Sequence, residues 1–132
     1  MKKILHTMFR VNDLERSLDF YTNTLGMRLL RRTDYPSGRF TLAFVGYDEE
    51  DKSAVIELTF NWDTQVYTPG TGYGHIAISV ENIYETCAAI ELAGVSIIRA
   101  PGPLQDDPSE VIAFISDPDG YRIELIQEQT NS

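Results

Sequence analysis

Residues 74–94 read GHIAISVENIYETCAAIELAG, and they can be laid over residues 5–26, LHTMFRVNDLERSLDFYTNTLG, with one gap. His6 then falls on His75, Val11 on Val80, Leu14 on Ile83 and Gly26 on Gly94. The match resumes downstream, where LAFVGYDEEDKSAVIEL (42–58) lies over IAFISDPDGYRIEL (112–125) with a shorter loop, setting Glu57 on Glu124. The chain is an internal duplication, and such a repeat decides the architecture before any single element does.

Each copy reads the same way. Opening strands at 4–11 and 74–80 are rich in Ile, Val, Met and Phe. A helix follows at about 13–25, with Leu14, Leu18, Tyr21 and Leu25 on one stripe, Asn12 or Asp13 as its cap and Gly26 as its stop. The second helix spans about 83–93, capped by Asn82, with Ile83, Cys87 and Ile90 inward and Gly94 ending it. Three strands complete each copy, at about 27–33, 39–47 and 53–60, then 95–99, 111–116 and 121–127, with DPDG (117–120) a turn. The fold class is therefore α+β, two tandem βαβββ modules in one domain over 1–132. Module one covers 1–60, a connector 61–73, and module two 74–132.

The bulk properties narrow the function. Eleven Lys and Arg against 20 Asp and Glu give a formal charge of −9, which opposes binding to nucleic acid or an anionic membrane. No apolar stretch approaches the ~20 residues of a membrane helix. The opening MKKILHTMFRVND is broken by His6, Thr7 and Arg10 and reads poorly as a secretory leader. A single cysteine, Cys87, excludes an internal disulfide and suits a reducing cytoplasm.

Chemistry sits on the repeat. The only two histidines, His6 and His75, are equivalent, and so are Glu57 and Glu124, each a carboxylate inside an apolar "IEL" strand. A buried carboxylate is costly unless paired, hydrogen-bonded or bound to metal. A lone strand His or "IEL" Glu would ordinarily be a hydrogen-bonded or solvent-facing residue, but four such placements have no reason to coincide on a repeat. Two imidazoles and two carboxylates related by a pseudo-two-fold axis can converge on one cavity. There they suit a six-coordinate divalent metal with two positions left for water or substrate. The residues alone specify a divalent metal and no particular one.

The segments LHTMFRVNDLERSLDFYTNTLGMRLLRR, FTLAFVGY, AVIELTFNW, YGHIAISV and DPDGYRIELI together resemble the glyoxalase I (lactoylglutathione lyase) family of the vicinal-oxygen-chelate superfamily. The resemblance covers nearly the whole chain apart from the loop around 104–110 and the last few residues. It implies curved mixed sheets around a metal site, with His6, Glu57, His75 and Glu124 as ligands. It also implies a homodimer whose site lies at the subunit interface, each half coming from a different chain. The His at the first ligand position and the compact length match the short bacterial type, which prefers Ni2+ or Co2+ over Zn2+.

The implied reaction converts the hemithioacetal of methylglyoxal and glutathione to S-D-lactoylglutathione by metal-assisted proton transfer through an enediolate. A Lewis acid facing the two oxygens stabilises the developing charge, and a neighbouring carboxylate moves the proton. The resemblance makes Glu124 the leading base and Glu57 its counterpart. Arg10, four residues past His6 on the same strand face, matches a contact to a glutathione carboxylate. Asn61, four past Glu57, matches a hydrogen bond to the peptide. One departure stands out: GPLQDDPSE (102–110) carries Gln105, Asp106, Asp107 and Glu110 where bacterial relatives carry a Lys and glycines, which points to weaker or altered thiol preference.

Rival readings on the same fold are a ring-cleaving dioxygenase, an epimerase or thiol transferase, a metal-free binding module and an inactive interaction domain. A dioxygenase needs two His and one carboxylate with three open positions, and a fourth ligand argues against it. A metal-free module has no use for the four.

Overall fold

The computed structural model describes residues 1–64 and 66–129. They fall into two compact units, Met1–Thr68 and Pro69–Ser132.

In the first unit, β1 (His6–Arg10) leads into α1 (Leu14–Asp19), followed by β2 (Arg28–Tyr35), β3 (Phe40–Gly46) and β4 (Val55–Asn61). The sheet order is β1-β4-β3-β2. β1 runs parallel to β4 and the other pairs are antiparallel, so the sheet is mixed. In the second unit, β5 (His75–Val80), α2 (Ile83–Leu92), β6 (Ile97–Pro103), β7 (Val111–Ser116) and β8 (Arg122–Gln127) repeat the plan. Their order is β5-β8-β7-β6, again with the first pair parallel. The α+β reading and the twice-repeated βαβββ order both hold.

Strand alternation sends one set of side chains toward the helix and the other to the opposite face. In the first unit the helix-facing set includes Phe9, Val11, Ala43, Val45, Ile56 and Leu58, all buried, beneath Leu14, Leu18 and Tyr21. In the second unit Ala113, Ile115, Ile123 and Leu125 are buried with Ile83, Cys87 and Ile90 of α2. Each fully buried Leu or Ile contributes about 2 kcal/mol of transfer free energy. The other face carries His6 and Glu57 in the first unit and His75 and Glu124 in the second.

Helix termini follow local chemistry. Asp13 accepts a hydrogen bond from Arg16 N, and Asn82 from Glu85 N, at equivalent N-caps. Gly26 and Gly94 end the two helical segments at φ +75° and +84°, where a side chain would be strained.

Two elements depart from the sequence expectation. The helix expected to run to 25 is α-helical only to Asp19 and then opens into a π-helical turn over Phe20–Thr24, with Leu25 N bonded to Phe20 O. The widened turn carries Leu25 off the stripe to a half-buried position, and Met27 is buried instead. The strand expected to stop at 99 continues to Pro103, despite two prolines. β6 is an edge strand, where a missing N–H is tolerated. The Arg99 guanidinium also donates to the carbonyls of Gly102, Ile112 and Pro103, in place of regular ladder bonds.

Candidate functional site

The register of each sheet brings the expected pair together. β1 is paired so that His6 lies opposite Val55 and Met8 opposite Glu57, which makes His6 and Glu57 diagonal neighbours on the face away from the helix. His6 Nε2 is 2.7 Å from Glu57 Oε2. In the second unit His75 lies opposite Arg122 and Ala77 opposite Glu124, and His75 Nε2 is 3.1 Å from Glu124 Oε1. Side-chain exposure is 37% and 40% for the imidazoles against 14% and 16% for the carboxylates. The pairs are thus sheltered by the sheet yet open to an incoming ligand.

Their spacing fits a metal. Two ligands at right angles, each about 2.1 Å from one ion, stand about 3.0 Å apart, close to both distances observed. Imidazole nitrogen and carboxylate oxygen are also the donors that borderline divalent ions accept. Among the described residues no group of three or more His, Cys, Asp or Glu side chains gathers into a candidate cage. In each unit the described geometry brings together one imidazole and one carboxylate.

An aromatic wall completes each pair. Phe44 lies opposite Glu57 in the β3–β4 register, and Phe114 opposite Glu124 in the β7–β8 register. The ring of His6 meets Phe44 edge-on at 5.5 Å, and His75 meets Phe114 at 5.0 Å. Sequence reading missed both phenylalanines, although the "AF" shared by LAFVGY and IAFISD marked them. It also missed Tyr67, whose hydroxyl accepts from Asn61 Nδ2 at 2.9 Å, and so fixes the side chain expected to meet a peptide. Arg10 stands exposed on β1, two strand pairs along from His6 on the same face.

Charge near the first pair is organised by Arg31. Its guanidinium lies 3.7 Å from the centroid of the Phe44 ring and forks onto Glu50 through two hydrogen bonds of 2.7 and 3.0 Å. That fork holds the Glu50 carboxyl below the usual carboxylate range. In the second unit, burial, with Asp117 nearby, pushes the Tyr73 hydroxyl up to about 12.

Residues 3–125 match the family model of the Glyoxalase/Bleomycin resistance protein/Dioxygenase superfamily. Similarity then narrows. The chain is 56% identical over 128 residues to a lactoylglutathione lyase of Neisseria meningitidis serogroup A, covering 97% of this chain and 92% of that protein. The chain belongs to the glyoxalase I family. It is also 60% identical to a probable lactoylglutathione lyase of Synechocystis, covering 94% of each chain. Among solved structures, the trypanothione-dependent glyoxalase I of Leishmania major superposes with a TM-score of 0.85 at 44% identity, over 97% of this chain and 88% of that one. The glyoxalase I of Zea mays superposes with a TM-score of 0.92 at 43% identity over 98% of this chain. The chain spans 46% of that maize protein, less than half its length.

Proposed function

We infer that the chain isomerises the hemithioacetal of methylglyoxal and glutathione to S-D-lactoylglutathione, the reaction of a lactoylglutathione lyase, and so detoxifies methylglyoxal. The observation that carries the site assignment is the repeated His–Glu pair, His6 with Glu57 and His75 with Glu124, each backed by an equivalent phenylalanine. Relatives between 52% and 60% identical over most of their length are named for this reaction.

The four side chains are assigned to one divalent metal. A divalent ion held by these four side chains would supply a Lewis acid that stabilises the negative charge developing on the substrate oxygens. Glu124, on β8 beside His75, takes the proton from the substrate carbon and returns it to the adjacent one. Glu57 is its pseudo-symmetric counterpart and the second candidate base. Arg10 pairs with a glutathione carboxylate, and Asn61, held by Tyr67, hydrogen-bonds the peptide.

Each half-site supplies two ligands, so the assignment requires a second half-site. A homodimer provides it, the His6–Glu57 pair of one copy meeting the His75–Glu124 pair of another. Ni2+ or Co2+ is the assigned ion, ahead of Zn2+, on the strength of His6 at the first position and the compact length. Cys87, buried and unpaired with another cysteine, supports a cytoplasmic location. Among the described residues no helix is long and apolar enough to cross a membrane.

The test is turnover of the preformed hemithioacetal by the purified chain and by Glu124→Gln. Isomerisation by the first and its loss in the second is the expected result. Equal rates would remove Glu124 from the mechanism. The acidic segment 104–110 makes the thiol carrier worth varying in the same assay, since the Leishmania relative is trypanothione-dependent. A Michaelis constant higher than that of a Lys-bearing relative is expected with glutathione.

A further inference from the structure

The two half-sites share ligands and aromatic wall but differ in what stands behind the wall. Arg31 lies opposite Phe44 in the β2–β3 register, and Arg99 lies opposite Phe114 in the β6–β7 register. These arginines are equivalent on the repeat, yet they are used differently. Arg99 turns to the backbone carbonyls of Gly102, Ile112 and Pro103. Arg31 instead lies over the Phe44 ring at 3.7 Å from its centroid. Glu50 holds it there by both fork nitrogens, and a planar fork of this kind fixes orientation as well as position.

The two rings also differ in burial. Phe44 is 3% exposed, whereas Phe114 is only half-buried. A phenyl ring covered on one face by a guanidinium has little freedom to tilt, and its contact with His6 passes that restraint on to the imidazole. A metal ligand whose ring orientation is fixed beforehand loses less freedom on binding the ion.

We propose that Arg31 is a positioning residue for the first half-site: clamped by Glu50 and stacked on Phe44, it sets the ring against which His6 is oriented toward the metal. The proposal rests on the four-ligand reading given above. It makes the His6–Glu57 half the rigid anchor of the ion.

Affinity of the full chain for Ni2+ alone, measured by competition with a chelator, tests this without any turnover. Arg31→Met is expected to weaken Ni2+ binding about two- to fivefold, the range of one exposed cation–π contact. It should also shift the visible absorption of the Co2+-loaded protein. In a Phe44→Leu background the same substitution should have no further effect, because the restraint travels through that ring. Unchanged affinity in Arg31→Met, or an equal loss with and without Phe44, would overturn the proposal. Should Arg31→Met not fold, Arg31→Lys takes its place, with about a twofold loss expected and no loss overturning it. A wild-type chain that binds no Ni2+ would overturn the four-ligand reading and this inference together; wild-type binding that Arg31→Met leaves intact would overturn this inference alone.

Discussion

Glu57 and Glu124 are each flanked in sequence by residues that are almost fully buried, Ile56 and Leu58, Ile123 and Leu125. Strand alternation resolves the apparent conflict: the flanking residues face the helix and the carboxylates face the other way, where an imidazole meets each. This much was legible, because the four residues repeat. Phe44, Phe114, Arg31 and Glu50 were not singled out, since a phenylalanine in a strand and an exposed arginine carry no signal until register sets them beside a ligand. Glu124→Gln should lower kcat by about 10²- to 10⁴-fold, the usual worth of a general base, with circular dichroism unchanged. Tyr73 gives a second prediction at this scale. Its hydroxyl donates to the Arg122 carbonyl, and its folded value of about 12 lies above the ordinary 10. A group raised on folding contributes stability that is whole below pH 10 and is lost as pH climbs toward 12. Urea midpoints measured from pH 8 to 12 should therefore fall over that upper interval, and Tyr73→Phe should flatten the fall.

At the scale of elements, caps and stops were readable because they depend on neighbours in sequence. Asn82 and Gly26 occupy the positions their chemistry predicts. Asn82→Ala should cost about 1 kcal/mol through the lost cap, and Gly26→Ala about 1–2 kcal/mol through left-handed strain. Nothing lies within 4 Å of a Cβ at Gly26, so steric crowding adds nothing there. Denaturant unfolding at neutral pH measures both, and a neutral Gly26→Ala would contradict the assignment. The π-helical turn and the long β6 escaped the sequence because each is settled by tertiary contacts. The stripe Leu14, Leu18, Tyr21, Leu25 fits an α-helix, whereas the wider turn buries Met27 and is held by hydrogen bonds from Met27 N to the Tyr21 carbonyl and from the Tyr47 hydroxyl to the Leu25 carbonyl. Pro101 and Pro103 lack the N–H of a regular ladder, and the edge position with Arg99 as staple lets the strand run through them.

The whole molecule is one plan used twice, and the duplication made the fold and the four candidate ligands visible together. What duplication does not reveal is which copies meet. If each metal centre joins the His6–Glu57 half of one chain to the His75–Glu124 half of another, two inactive variants should rescue each other. Refolded together, His6→Ala and His75→Ala chains would form heterodimers having one intact site and one doubly damaged site. A random mixture should recover about a quarter of wild-type activity. No recovery would place all four ligands in a single chain.

The most direct test of the account is isomerisation of the methylglyoxal–glutathione hemithioacetal by metal-stripped chain, with Ni2+, Co2+, Zn2+ or nothing added back. The metal-free protein should be inactive, and Ni2+ or Co2+ should restore turnover where Zn2+ does not. Full activity without metal, or none with any of the three, would contradict it.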